Sequence, residues 1–360
     1  MDRITILRFS GFVVAIFIVS FSIFSYQRKY DISRTFFISI TNYSVKASDQ
    51  NSEVQVYEKT QKLIVLLWTW PWGVKFDLEV CASEFGIHNC QLTADHNMYG
   101  RADAVVFHYP SIPKNPDNLP KERPGNQYWV WYSLEPPEHC QGLEMFNNIF
   151  NLTLSYRRDS DIFVPYGYLR FVADPQNYSI PYKTKLVAWV VSNWDQTSPR
   201  VKYYERIKDY IDIDIYGRHH KTLSTGDFHS TVSQYKFYLA FENSLHMDYI
   251  TEKLYGNAFS SGAVPVVMGP SRQNYEQYVP ADSFIHVNDF KTPEELAKYL
   301  KHLDKNEEKY RSYFTWKRHF IVCQDNFYAK VHCAVCKAIT GRTRGYRSVP
   351  SVQKWFWSEH

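Results

Sequence analysis

The sequence predicts an α/β protein made of two successive units, each a parallel sheet with helices packed on it. Three observations carry that expectation. Apolar runs of strand length recur through both halves, at Leu63–Trp68, Ala104–His108 and Tyr128–Tyr132 and again at Lys185–Asn193, Phe237–Phe241 and Ala263–Met268. Near-continuous apolar runs of this length suit strands covered on both faces. Helical stretches lie among them, at Asp77–Phe85, Pro199–Tyr210 and Thr251–Ala258, as crossovers between parallel strands require. Finally, 360 residues with 44% apolar content suffice for two domain-sized cores.

Taken in order, residues 1–8 form a short tail ahead of an uncharged stretch, Phe9–Gln27, rich in Phe, Val and Ile. As a helix it would span roughly 28 Å at ~1.5 Å per residue, enough for a bilayer core. No small-residue cleavage site follows, so it reads as an uncleaved anchor. Arg3 and Arg8 before it and Arg28, Lys29 and Arg34 after it leave the orientation open. The sequons Asn42-Tyr-Ser, Asn151-Leu-Thr and Asn177-Tyr-Ser all follow the anchor, which favours a lumenal body. Residues 28–61 are polar and aperiodic, a stem. The first α/β unit covers 62–175, with a proline-rich surface loop at Pro110–Pro124. The second covers 176–325. Proline opens its helix at Pro199, Ile211–Tyr216 alternates strictly, and Glu294–Leu300 is an amphipathic part of two helices within Thr292–His319. Residues 326–360 form a tail.

A net charge of +4, dispersed along the chain, leaves no nucleic-acid footprint. Aromatics reach 17%, a level that sugar sites and ordinary cores both use. Six cysteines, Cys81, Cys90, Cys140, Cys323, Cys333 and Cys336, lie beyond the anchor, and an even number in a lumenal protein favours disulfides. Cys333-x-x-Cys336 lacks the second close pair that a zinc ribbon needs.

The densest chemistry lies between Lys236 and Gly269. A buried strand delivers Glu242 and Asn243 to its carboxyl end, where open α/β sheets hold ligands. Tyr249, Glu252 and Lys253 then stand at the start of a helix, where free N–H groups and a lysine suit an anion. Two acidic triplets, Asp159-Ser-Asp161 and Asp212-Ile-Asp214, offer the paired hard oxygen ligands that a divalent metal takes. The second alternates with Ile in a strand, so both its carboxylates fall on one polar face. Arg200 at a helix start and Glu135 before Pro136 each admit a bland reading, as a solvated cation and a turn residue.

The segments Phe-Glu-Asn-Ser (241–244) and Asp-Tyr-Ile-Thr-Glu-Lys (248–253) resemble the donor-binding signature of the α1,3-fucosyltransferases. From about Lys62 onward the chain is similar to the vertebrate Lewis-type members. It is nearest to the Lewis x-forming branch through Val191-Ser-Asn-Trp, Arg200-Val-Lys-Tyr-Tyr and Gly269-Pro-Ser-Arg. The resemblance implies a GT-B glycosyltransferase, two Rossmann-like domains facing a cleft. It implies inverting transfer of L-fucose from GDP-fucose to O3 of GlcNAc in Gal-β1,4-GlcNAc, in the Golgi membrane with the catalytic body lumenal. On its terms Glu135 is the catalytic base, while Arg200 and Lys253 meet the diphosphate. Tyr249 and Glu252 lie around nucleotide and fucose, and Asn193, Asn243 and Tyr216 join the nucleotide site. Neither a metal nor another cofactor is expected, and Asp159–Asp161 falls in the passage leading from the first domain. The expected partners are GDP-fucose, N-acetyllactosamine-type glycans and the Golgi membrane, with a homodimer left open and nucleic acid excluded. The resemblance also implies bridges Cys81–Cys333 and Cys90–Cys336, which leaves Cys140–Cys323 as a third pair by elimination only. A further bridge found in relatives would fall at Ala188 and Tyr235, and both cysteines are missing together.

The acceptor side departs from the family. His108-Tyr109-Pro110 stands where type 2 enzymes carry an arginine, and Val74 stands where relatives have polar residues. Two rivals therefore remain: a fucosyltransferase of 1,4 or core N-glycan preference, and an inactive membrane-anchored glycan-binding protein.

Overall fold

The computed structural model describes residues 62–223, 225–324, 327–342 and 347–358. The tail, anchor and stem expected over 1–61, with the sequon at Asn42, lie outside the described residues. Among those described, no helix is long and apolar enough to cross a membrane.

The first sheet has six parallel strands: β1 (Leu63–Leu67), β2 (Cys90–Thr93), β3 (Ala104–His108), β4 (Tyr128–Tyr132), β5 (Leu152–Ser155) and β6 (Ile162–Phe163), in the order β2-β1-β3-β4-β5-β6. β7 (Tyr168–Phe171) follows. The second sheet holds β8 (Lys185–Val190), β9 (Asp214–Tyr216), β10 (Tyr235–Phe241), β11 (Val264–Met268) and β12 (Ile285–His286), in the order β12-β11-β10-β8-β9 and again all parallel. β13 (Phe320–Cys323) pairs antiparallel with β7.

Both sheets thus reverse direction after their first strand, between β1 and β3 and between β8 and β10. Such switch points open a crevice outside the carboxyl ends of the strands, the place where doubly wound sheets take ligands. The apolar runs explain the burial: Val65, Leu66, Val105, Phe107, Val130 and Trp131 are sealed in the first core, and Trp189, Phe237, Leu239 and Phe241 in the second.

The helices are α1 (Val80–Phe85), α2 (Pro199–Ile207), α3 (Phe228–Val232), α4 (Arg272–Tyr275), α5 (Pro293–Asp304), α6 (Glu307–Ser312), α7 (Phe327–Ile339) and α8 (Val352–Trp357). In α5, Thr292 caps the Glu295 amide, Pro293 opens the helix, and Leu296, Ala297, Leu300 and Leu303 form the buried face. Ala329, Val331, Val335 and Ile339 of α7 and Val352 and Phe356 of α8 are buried in the first core, although they follow the second sheet in sequence. The disulfides Cys81–Cys333 and Cys90–Cys336 fasten α7 to α1 and β2.

Several expectations need correction. Cys140 and Cys323 are free thiols, the first buried beside Ser133, so no third bridge forms between them. The strand expected from Ile211 starts only at Asp214, and Asp212 is exposed ahead of it. Asp214 is held by Lys221, Lys185 and the Tyr235 hydroxyl. Asp159 chelates the Arg157 guanidinium at 2.9 and 2.8 Å, and Asp161 accepts from the Thr153 amide and hydroxyl. Asp159, Asp161 and Asp214 are therefore engaged in structural bonds, while Asp212 is exposed.

Candidate active site

A cavity of about 440 Å³ lies outside the carboxyl ends of both sheets. One wall comes from the first unit: Trp72 after β1, His108 at the end of β3, and Tyr132, Leu134 and Glu135 at and beyond the end of β4. The other comes from the second: Val190 to Asn193 at the end of β8, Arg200 from α2, Asn243 just after β10, and Tyr249, Glu252, Lys253 and Asn257. Tyr166 and Tyr328, the latter carried in on α7, complete the lining.

Arg200 sits in the first turn of α2 and is only 6% exposed. One guanidinium nitrogen donates to the Asn193 carbonyl at 2.6 Å, while Nε is buried without a hydrogen-bond acceptor. Burial lowers its proton affinity, and Glu242 and Tyr249 oppose that effect. Asn243 Oδ1 is likewise buried without a donor. A cation and an acceptor left unsatisfied in the same cavity wall form a latent binding surface, because each costs free energy until a ligand pairs with it.

Lys253 is less free than its place at a helix start suggests. The segment Lys253–Phe259 is a π-helix, a form that often marks functional positions. The Lys253 ammonium lies 2.9 Å from Glu242 Oε2 and 2.8 Å from the Thr251 hydroxyl, with Glu252 at 3.4 Å. Glu242 is 1% exposed and also takes the Thr251 amide and hydroxyl. Burial raises its proton affinity, and the Lys253 ammonium works against that. The opening amides are thus partly spent inside the protein, and the free N–H groups expected there are not all available to an anion. Tyr249 is buried edge-on to Tyr156 and Tyr166, and burial holds its phenol protonated.

Glu135 rises from the loop after β4. Its amide donates to the Ser133 hydroxyl at 3.1 Å, and its Oε2 meets His139 Nδ1 at 3.0 Å. That hydrogen bond raises the proton affinity of His139, against the effect of burial. Glu138, three residues on, points elsewhere: it accepts from the Ser244 hydroxyl at 2.6 Å and pairs with His246 at 3.0 Å, tying the two units together. Burial resists its ionisation, but the His246 and Ser244 bonds prevail and bring it to about 2.

On the first-unit wall, burial pushes His108 down to about 3, helped by His332 and Lys114. The neutral ring holds Ser111 Oγ at 2.6 Å, and that oxygen also accepts the Trp72 amide. Trp72 has φ 51°, a left-handed backbone unusual for a bulky residue, and its indole stands 5.3 Å edge-on to His108.

Of the residues singled out from sequence, Glu135, Asn193, Arg200, Asn243, Tyr249, Glu252 and Lys253 all line this cavity. Tyr216 does not. Its side chain is buried in the second unit with its hydroxyl 2.7 Å from that of Tyr235, while Gly217 lies so close to the Val191 carbonyl that a Cβ would fall 2.1 Å from that oxygen. Tyr166, Asn257 and Tyr328 were not anticipated. Asn257 stands one helical turn beyond Lys253, a spacing that offered a signal, whereas nothing local to Tyr328 pointed to the cavity.

Residues 180–355 match the family model described as glycosyltransferase family 10 (fucosyltransferase) C-term, and residues 60–167 match fucosyltransferase, N-terminal. A mouse relative, 4-galactosyl-N-acetylglucosaminide 3-alpha-L-fucosyltransferase 9, is 49% identical over 296 residues, covering 82% of each chain. This chain is a family 10 fucosyltransferase. The human counterpart of that relative is 48% identical over the same length. A Pongo pygmaeus enzyme, 3-galactosyl-N-acetylglucosaminide 4-alpha-L-fucosyltransferase FUT3, is also 48% identical, over 82% of this chain and 80% of its own. A crystal structure of an alpha1,3-fucosyltransferase with GDP-fucose superposes with a TM-score of 0.53 at 18% identity, covering 83% of this chain and 95% of that one. This establishes a shared fold of two Rossmann-like parallel sheets for the fucosyltransferase family member described here.

Proposed function

We propose that this fucosyltransferase moves L-fucose from GDP-fucose, with inversion, to O3 of GlcNAc in Gal-β1,4-GlcNAc chains. The observation that carries the reading is the convergence of Glu135 from one sheet and Arg200 and Lys253 from the other on a single cavity. Glu135 takes the proton of the acceptor hydroxyl as its oxygen bonds to the anomeric carbon. The bond from that carbon to the β-phosphate oxygen breaks on the opposite face, and its electron pair leaves with GDP. Arg200 and Lys253 stabilise the charge that grows there, without a metal. Tyr249, Glu252, Asn193 and Asn243 hold nucleotide and sugar, Glu252 as an acceptor for hydroxyls.

Overall identity cannot separate 1,3 from 1,4 use, since relatives named for each stand at 49% and 48%. The donor-half motifs favour type 2 chains, in which O3 of GlcNAc is free. In type 1 chains galactose occupies O3, so the acceptor must turn over against the first-unit wall of Trp72 and His108. The setting we propose is the Golgi membrane, with Phe9–Gln27 as a type II anchor, which agrees with two disulfides in a body folded under oxidising conditions.

The test is transfer by the full chain to lacto-N-neotetraose and lacto-N-tetraose in parallel. Faster transfer to the first is expected, and faster transfer to the second overturns the acceptor assignment. Glu135→Gln should lose about 10²–10⁴ in rate with GDP binding kept. Wild-type turnover in that variant ends the base assignment. Activity should persist in EDTA, and complete loss restored by manganese would refute metal-free transfer.

A further inference from the structure

We propose that His139 is a positioning residue for the acceptor-activating carboxylate, its Nδ1 holding Glu135 Oε2 at 3.0 Å so that Oε1 is left for the acceptor hydroxyl. The inference rests on Glu135 being the base. A glutamate carboxylate turns freely about its last torsion, so an unheld base presents the wrong oxygen or the wrong lone pair much of the time. Among the described residues, His139 supplies the one side-chain hydrogen bond to that carboxylate.

The turn that carries His139 is fixed from three directions. Pro136 and Pro137 restrict the backbone, and the His139 and Cys140 amides close a 3₁₀ turn onto the Pro136 and Pro137 carbonyls at 3.0 and 2.9 Å. Ser133 Oγ receives the Glu135 amide and meets the buried Cys140 Sγ at 3.1 Å, pinning both ends of the turn to one hydroxyl. Glu138, between them, is anchored across the cleft on Ser244 and His246. The backbone that carries the imidazole is thereby held in place, so the ring meets the Glu135 carboxylate from a fixed attachment point. To donate to a carboxylate, Nδ1 must carry the proton, which fixes the tautomer whenever the ring is neutral.

The experiment compares the full-length wild type with His139→Ala, His139→Asn and Glu135→Gln, measuring kcat and KM for donor and acceptor and GDP binding. An asparagine amide stands about where Nδ1 stands and can donate the same hydrogen bond. His139→Ala should lower kcat about ten- to a hundredfold, up to the loss that a misplacement of roughly 1 Å brings. Both KM values should stay within about twofold, and His139→Asn should recover most of the loss. Unchanged kcat in His139→Ala overturns the proposal, and so does an asparagine variant as slow as the alanine one. Should His139→Ala fail to bind GDP, His139→Asn against His139→Gln carries the same contrast, because the glutamine amide reaches toward Nε2. Glu135→Gln separates the two claims. If it stays active, the base assignment has failed; if it is inactive while His139→Ala is normal, only the positioning role has.

Discussion

Replacing Lys253 by alanine should damage stability before it reports on chemistry, because its ammonium is the counter-ion of a carboxylate that is 1% exposed. At 2.9 Å and an effective dielectric of about 20, the pair is worth about 6 kcal/mol of gross Coulomb energy. Desolvation offsets part of this, and removing one member of a buried pair typically costs about 3–5 kcal/mol. For a body of this size that corresponds to roughly 6–10 °C in Tm. The sign of the pH dependence follows from Glu242, whose proton affinity burial has already raised. Without the ammonium that rise grows, so the deficit of Lys253→Ala is small at pH below the ordinary glutamate range and widens as pH rises through the folded-state value. The double variant Glu242→Gln/Lys253→Met removes both charges and should regain most of the lost stability, as apolar replacements of buried pairs do. It should not regain transfer, which stays down about 10²-fold for want of a cation at the leaving diphosphate. Thermal unfolding at pH 5 and 7 and GDP-fucose turnover measure the two quantities separately. A double variant with wild-type transfer would show that Lys253 serves Glu242 alone, and the phosphate role would be refuted.

Arg200→Lys should lose donor affinity and rate nearly as fully as Arg200→Ala, because a single ammonium nitrogen cannot stand both at the Asn193 carbonyl and at the separate position of the guanidinium Nε; GDP calorimetry and kcat decide it. His332, buried and donating Nδ1–H to the Tyr328 carbonyl at 2.8 Å, is pushed by burial down to about 4. Its neutral form is favoured by the fold, so its contribution is complete above pH 6.5 and falls by about 3 kcal/mol as pH drops to 4. His332→Asn should flatten that part of the pH–Tm curve, and an unchanged curve would contradict the assignment. Alkylation of the native protein should label half-buried Cys323 and spare Cys140, whose thiol burial pushes up to about 12, until the chain is unfolded; a Cys140–Cys323 peptide in non-reducing maps would contradict the structure.

Much of the architecture was legible because fully buried parallel strands announce themselves as unbroken apolar runs. Ala104–His108 and Tyr128–Tyr132 have the boundaries read from sequence. Ile211–Tyr216 misled because alternation alone does not say whether a neighbouring strand is there to pair with, and β8 meets it only from Asp214 onward. Residues at strand ends were legible as cavity candidates for a topological reason: in a parallel sheet all carboxyl ends open on the same side. What those residues bond to was not. Glu242 reads as one more strand-end acid until the returning loop brings Thr251 and Lys253 onto it. Tyr216 ends a strand as Asn193 follows one, yet its ring turns into the core because Tyr235 offers it a hydroxyl. Tyr328 was beyond reach, since its place depends on disulfides joining residues 252 and 246 positions apart.

Those two bridges also set an order of events during synthesis. The first core lacks Val331, Val335 and Phe356 until the whole second sheet has emerged from the ribosome. Its amino-terminal strands must therefore wait, incompletely covered, while roughly two-thirds of the described body is made. The second unit meets no such delay, because its strands lie together in sequence, and it can fold as a loop whose two ends are still open. Closing a loop of this length removes about 5 kcal/mol of freedom from the unfolded chain, and only the last-made helices can close it. A chain stopped before Cys333 would carry an incompletely covered first unit in which Cys81 and Cys90 lack their partners and add two thiols to the already free Cys140 and Cys323. Thiols left without their partners in this way are free to form mixed disulfides wherever conditions are oxidising.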